Sequence, residues 1–206
     1  RVILDGNDSL PAAGALLALP APEAARLLRP LDTVAAEGLA AIPYSSSLIM
    51  ALGYDARAVS SLPGGFGFLV PRKETYRLRA CTFVGQKFPG RVPSNRILLR
   101  CFLGGVRDEA VLELNDDAAT GLVQEELRAI LGISAEPLFA RVYRWRKALA
   151  QYTVGHHQRL EAIQGRLANR RGLFLCGNAY QGIGISDCVR SAKAAVDACL
   201  RELGAG

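Results

Sequence analysis

Apolar positions along the chain change their period several times, and the changes mark out an α/β order of elements. Arg1 to Leu4 is strand-like, and Asp5-Gly6-Asn7-Asp8 reads as a turn. Ala15 to Leu19 is a short apolar run stopped by Pro20, as expected of a buried strand. Pro22-Glu23 opens an alanine- and leucine-rich helix to Leu28, with proline at a tolerated first-turn position. A second short helix is expected over Thr33 to Ala41. The middle of the chain is strand-rich. Leu48, Met50 and Leu52 alternate within Ser45–Tyr54, Gly64–Val70 is a glycine-loaded approach to a strand closed by Pro71, and the strands Arg77–Val84 and Ile97–Leu103 follow.

Helical spacing returns at Ala118–Leu131, where Leu122, Leu127, Ile130 and Leu131 share a face and Gly132 stands at a C-cap position. Pro137–Trp145 predicts a strand and Gln158–Ala168 an amphipathic helix. The last unit is a short apolar strand, Leu173–Cys176, a glycine-rich turn, and a helix from Ser186 to Leu203. Ile185, Val189, Ala192, Val196, Cys199 and Leu203 form its apolar stripe.

Composition narrows the class. Half of the 206 residues are hydrophobic and 21% are charged, a globular balance. No run reaches the roughly 18 apolar residues of a membrane span, and no signal peptide opens the chain. Arg1 is not a natural first residue, so further chain is expected upstream. The net charge of +6 suits an anionic substrate, an anionic lipid, nucleic acid or simply a solvated surface. The basic residues are dispersed and lack an aromatic–basic pattern, which argues against nucleic acid. The five cysteines form no C-x-x-C pair, as in a cytoplasmic protein with reduced, mostly buried thiols. His156 and His157 are the only histidines, and no metal site is expected from them.

The candidate chemistry lies in Gly177-Asn178-Ala179-Tyr180-Gln181-Gly182-Ile183-Gly184-Ile185-Ser186-Asp187. A strand that feeds such a turn and then a helix aims backbone N–H groups at whatever lies above it. Glycines let a flat ring or a phosphate approach without a Cβ in the way. The spacing alone fits a phosphate, the pyrimidine edge of a flavin, or an unliganded strand–helix joint. Asp187 would repel a phosphate and reads as the N-cap. The G-x-G-x-x-G fingerprint is absent, since Gly182 and Gly184 lack the third glycine.

The segment Gly177–Cys188 resembles the C-terminal flavin-contacting segment of protoporphyrinogen oxidases. Three further blocks are similar to that family in the same order. They are Gly65-Phe66-Gly67-Phe68-Leu69-Val70-Pro71-Arg72-Lys73-Glu74, the stretch from Lys87-Phe88-Pro89-Gly90-Arg91 through Phe102-Leu103-Gly104-Gly105, and Arg144-Trp145 through Gln151-Tyr152 to Gly155-His156. The four blocks span nearly the whole chain.

The resemblance implies the C-terminal portion of a flavin-amine-oxidase-like fold. It combines part of a Rossmann-like FAD-binding domain with a substrate domain of mostly antiparallel sheet and packed helices. Residues 1–43 and 166–206 would belong to the FAD domain, and residues 44–165 to most of the substrate domain. Asn178, Ile183, Gly184 and Ile185 would contact FAD. Phe66, Gly67, Leu69, Thr82 and Phe102 would line a porphyrinogen pocket, with Phe102 stacking on a pyrrole and Leu69 and Thr82 enclosing another.

The implied chemistry is flavin dehydrogenation of protoporphyrinogen or coproporphyrinogen in heme biosynthesis, with molecular oxygen reoxidising the flavin. The cofactor carries the difficult step, and no catalytic base is nominated. Peripheral membrane contact and a homodimer are compatible with the family. The fingerprint half of the dinucleotide site is missing, so the segment alone is expected to be inactive. Ala150 replaces a common family proline. Two other readings stay open: a related amine oxidase or carotenoid desaturase, and a non-catalytic porphyrin-binding module.

Overall fold

The computed structural model describes residues 1–5, 8–59 and 61–204. The elements run β1 (Val2–Ile3), β2 (Ser9–Leu10), β3 (Ala15–Leu17), α1 (Ala21–Leu28), α2 (Thr33–Ala40), β4 (Tyr44–Asp55), β5 (Gly67–Leu69), β6 (Leu78–Phe83), α3 (Val84–Lys87), β7 (Arg96–Gly104), α4 (Asp116–Leu131), β8 (Phe139–Ala150), α5 (His156–Leu167), β9 (Leu173–Leu175) and α6 (Ile185–Leu203). The expected Asp5–Asp8 turn includes residues 6 and 7, which lie outside the described residues. Among the described residues, no helix is long and apolar enough to cross a membrane.

The chain forms two compact units, Arg1–Tyr44 with Ala150–Gly206, and Ser45–Leu149. The first is built on helix packing around a short parallel strand pair. Ala21, Ala24, Ala25 and Leu28 bury one face of α1. The Asp32 carboxylate caps α2 by accepting from the Ala35 amide at 2.9 Å. Gly38 allows α2 and α5 to close on each other, since a Cβ there would stand 2.8 Å from Ile163 Cγ1. Arg166 of α5 then reaches the Asp32 carboxylate at 3.1 Å. The Ala35 amide first, and Arg166 after it, hold Asp32 below its ordinary range.

Strand β3 pairs parallel with β9 in the register Ala15↔Leu173 to Leu17↔Leu175. Expected to be a buried strand, β3 is only partly so. Leu16 is 37% exposed, because β9 is its only strand partner among the described residues. Residues 150–165, expected with the substrate domain, pack instead in the first unit. The reason is apolar burial: Leu160, Ile163 and Ala150 join the core of α1 and α2.

The second unit is a five-stranded sheet in the order β5-β6-β7-β4-β8. The β5–β6, β6–β7 and β7–β4 pairs are antiparallel. Leu48, Met50, Leu52, Cys81, Leu99, Cys101 and Leu103 cover one face and meet Ala119, Val123 and Leu127 of α4. Asn115 caps α4, and Gly132 ends it in the left-handed conformation at φ 70°. Buried Glu126 accepts from the amides of Arg77 at 2.8 Å and Leu78 at 2.7 Å, which ties the helix to the start of β6. Strand β8 runs past its expected end at Trp145. It passes Lys147 at φ 46°, whose amide donates to Ser46 Oγ at 3.0 Å.

Candidate functional site

The face of the sheet away from α4 is open, and strand alternation decides what it carries. Leu69 opposes Ala80, Ala80 opposes Phe102, and Phe102 opposes Ile49. One step along the strands, Gly67 opposes Thr82, Thr82 opposes Arg100, and Arg100 opposes Ala51. These two rows bring Leu69, Thr82 and Phe102 onto one surface. Leu69 is 81% exposed and Phe66, just before β5, is 64% exposed, whereas Thr82 is buried. Gly67 contributes backbone. At φ 140°, a Cβ on it would stand 2.0 Å from the Cys81 carbonyl oxygen, so β5 crosses β6 too closely for a side chain.

The same face continues onto β8. The Phe139 ring lies where a Cβ on Gly53 would stand, and Tyr143 and Trp145 are about half exposed further along the outward row. Arg100 was not singled out from the sequence, although the alternation of Ile97–Leu103 puts it on the face of Phe102. Its guanidinium lies 4.8 Å from the Phe102 ring centroid. It is exposed and, among the described residues, pairs with no carboxylate. Exposed Arg141 lies between Phe139 and Tyr143 on the outward row of β8, so the surface is apolar and aromatic with arginines beside it, which suits a flat organic anion.

In the first unit the glycine-rich turn runs from β9 to α6. Gly184, not Asp187, is the N-cap of α6. Asp187 sits three residues on and accepts from the Gly184 amide at 3.1 Å, the return half of a capping box. Arg190 pairs with the same carboxylate. Gly182 at φ 130° leaves no space for a Cβ, which would meet Asp187 Cγ at 2.5 Å. Gly177 at φ 128° faces open space.

Beside the turn lies a groove of about 590 Å³ lined by Leu19, Pro20, Gly177, Asn178, Ile183 and Val189 among others. Ile183 and Ile185 are 63% and 87% exposed. The turn therefore brings Asn178, Ile183 and Ile185 to one groove, with Gly184 at the adjoining helix end. No lysine or arginine lines it, and its neighbouring carboxylate is already spent on the helix cap. That donor set suits a flat, largely apolar ring touched by backbone groups and does not suit a free phosphate. A flavin ring fits it.

Of the expected apolar stripe of α6, Cys199 is buried and most of the rest is not. The helix packs through Ser191, Ala195 and Cys199. Ile185, Val189, Val196 and Leu203 stay exposed. Small residues bring α6 close to its neighbours, and the larger apolar ones flank the groove or face outward.

Comparison with known proteins gives the family of the chain. A family model described as flavin containing amine oxidoreductase matches residues 1–200. Coproporphyrinogen III oxidase of Bacillus subtilis (strain 168) is 32% identical over 201 residues, covering 97% of this chain and 42% of that protein. The chloroplastic protoporphyrinogen oxidase 1 of Spinacia oleracea is 31% identical, covering 91% of this chain and 35% of the relative. A crystal structure assigned as a protoporphyrinogen oxidase from Exiguobacterium sp. 255-15 superposes with a TM-score of 0.80 at 31% identity, over 93% of this chain and 41% of that one. Reduced UDP-galactopyranose mutase matches with a TM-score of 0.75 over 99% of this chain and 44% of that one, but at 15% identity this speaks to fold alone. The chain thus spans about two fifths of the length of the relatives it matches. Its mixed α/β fold and a family match from residue 1 to residue 200 place the chain in the flavin-containing amine oxidoreductases, enzymes whose cofactor is a flavin.

Proposed function

We propose that this chain supplies the substrate-facing sheet and one side of the FAD site in an oxygen-dependent porphyrinogen oxidase of heme biosynthesis. The observation that carries the substrate reading is the open sheet face, where Leu69, Phe102, Tyr143 and Trp145 offer apolar and aromatic surface beside the guanidinium groups of Arg100 and Arg141. A reduced tetrapyrrole is a large apolar ring that carries propionates, and both parts have a counterpart there. Phe66, Thr82 and the Gly67 backbone complete the edge. Arg100 favours the porphyrinogen with more carboxylates, coproporphyrinogen III.

Bound FAD would supply the two-electron acceptor. Asn178, Ile183, Gly184 and Ile185 would hold it at the groove and keep water from one side of the ring. Residues 1–43 and 166–206 would then belong to the FAD-binding domain, with residues 150–165 joining them on packing grounds. The outward apolar flank of α6 would be covered by the remainder of that domain. Five free thiols, with Cys101 Sγ donating a hydrogen bond to Cys81 Sγ at 3.8 Å, support a reducing, cytoplasmic location. Molecular oxygen as final acceptor, peripheral membrane contact and a homodimer rest on the family resemblance.

The test is anaerobic mixing of the flavin-loaded enzyme with coproporphyrinogen III, protoporphyrinogen IX and a primary amine. Bleaching of the flavin band by a porphyrinogen, fastest with coproporphyrinogen III, is expected. Faster bleaching by the amine would assign the chain to another branch of the family. Porphyrin binding without any bleaching would leave a binding module instead.

A further inference from the structure

The glycine-rich turn is not self-supporting. Between Gly177 and Gly182 the backbone leaves strand geometry and has not yet entered α6, and both glycines hold positive φ. One side chain from outside the turn bridges it. The hydroxyl of Tyr152 donates to the Asn178 carbonyl at 2.9 Å and accepts from the Gly182 amide at 2.8 Å. A single oxygen thus fixes two points of the turn, one at a candidate flavin contact and one directly before Ile183. Burial pushes the Tyr152 phenol upward, and the Gly182 amide offsets this only in part, so the hydroxyl keeps the proton it donates.

The Tyr152 ring is held in turn by His156 at the start of α5. The two rings stack with centroids 4.0 Å apart and planes inclined by 16°. His156 is buried, and neither of its ring nitrogens has a hydrogen-bond partner among the described residues. Such burial costs stability, on the order of 1–3 kcal/mol for an unsatisfied polar group. An apolar residue would fill the space at lower cost. What the imidazole offers in exchange is a flat ring stacked on Tyr152.

We propose that Tyr152 is a positioning residue for the flavin. Through Asn178 and Gly182 it sets the backbone of Ile183–Gly184–Ile185 against the ring. The proposal rests on the flavin reading of the turn. It assigns Tyr152 no part in electron or proton transfer.

The test is Tyr152→Phe in the flavin-loaded enzyme. It removes the hydroxyl and leaves the ring stacked on His156. Loss of these hydrogen bonds is expected to weaken FAD binding about three- to tenfold. It should also blur the vibronic structure of the flavin band and shift the flavin midpoint potential. In the flavin-free protein, the Gly182 amide should exchange with deuterium faster, while amides of α1 and α2 stay unchanged. FAD affinity, spectrum and potential all equal to the parent's, with unchanged Gly182 exchange, would overturn the proposal. Gly182→Ala separates the two ideas: if that change leaves FAD affinity intact, the flavin reading of the turn fails rather than the Tyr152 tie.

Discussion

The two candidate surfaces are built by opposite means. The open face of the Ser45–Leu149 sheet presents side chains on a regular backbone whose other face is sealed by α4. The turn between β9 and α6 presents backbone, held by the side chains of Tyr152, Asp187 and Ser191, whose hydroxyl accepts from the Gly177 amide at 3.2 Å. A change of one side chain on the sheet should therefore act locally and on the substrate alone. A change in the turn should act through backbone geometry and on the flavin.

The largest expected effect is at Gly182. Gly182→Ala forces a Cβ into Asp187 at a φ of 130°. Strain of about 1–3 kcal/mol should weaken FAD binding roughly ten- to a hundredfold, with porphyrin affinity unchanged, as read by flavin fluorescence titration. Next is Phe102→Ala, which removes a stacking surface worth about 0.5–1.5 kcal/mol beyond its area. KM for the porphyrinogen should rise about tenfold while FAD affinity holds. A loss of FAD by this variant would break the separation of the two surfaces.

Arg100→Gln is smaller in size and sharper in meaning. It should cost coproporphyrinogen several-fold in kcat/KM, cost protoporphyrinogen less, and flatten the salt dependence of the former. The smallest effect concerns the frame alone. The folded-state pKa of Asp32 lies below its ordinary value, so its contribution is present above about pH 4 and is lost as pH falls through the lower folded value. Asp32→Asn should therefore flatten acid destabilisation below about pH 4 without moving flavin or porphyrin affinity at neutral pH.

Most element positions were readable because local signals agreed with the fold. The alternation of Leu48, Met50 and Leu52 marks the buried face of β4, and Gly132 ends α4 as its position predicts. The α6 face was not readable. Helical period identified an apolar stripe, of which close packing kept Cys199, but it added Ser191 and Ala195 and left Val189 and Val196 outside. The extent of the first unit was also hidden, because only three-dimensional packing unites Leu160 and Ile163 with α1 and α2. Of the candidate site, the motif blocks gave Leu69, Thr82 and Phe102, and strand register shows them on one face. The Tyr152 bridge joins residues 26 and 30 positions apart, a relation no local pattern carries.

On the proposed reading, the open sheet face binds a porphyrin independently of the flavin turn. Trp145, the single tryptophan of the chain, stands on that face. The most direct measurement is its fluorescence during titration with coproporphyrin III, in the parent protein and in Phe102→Ala and Gly182→Ala. Saturable quenching is expected in the parent, with a shift to about tenfold higher porphyrin concentration in Phe102→Ala and an unchanged curve in Gly182→Ala. Absence of quenching in the parent, or an equal shift in both variants, would contradict it.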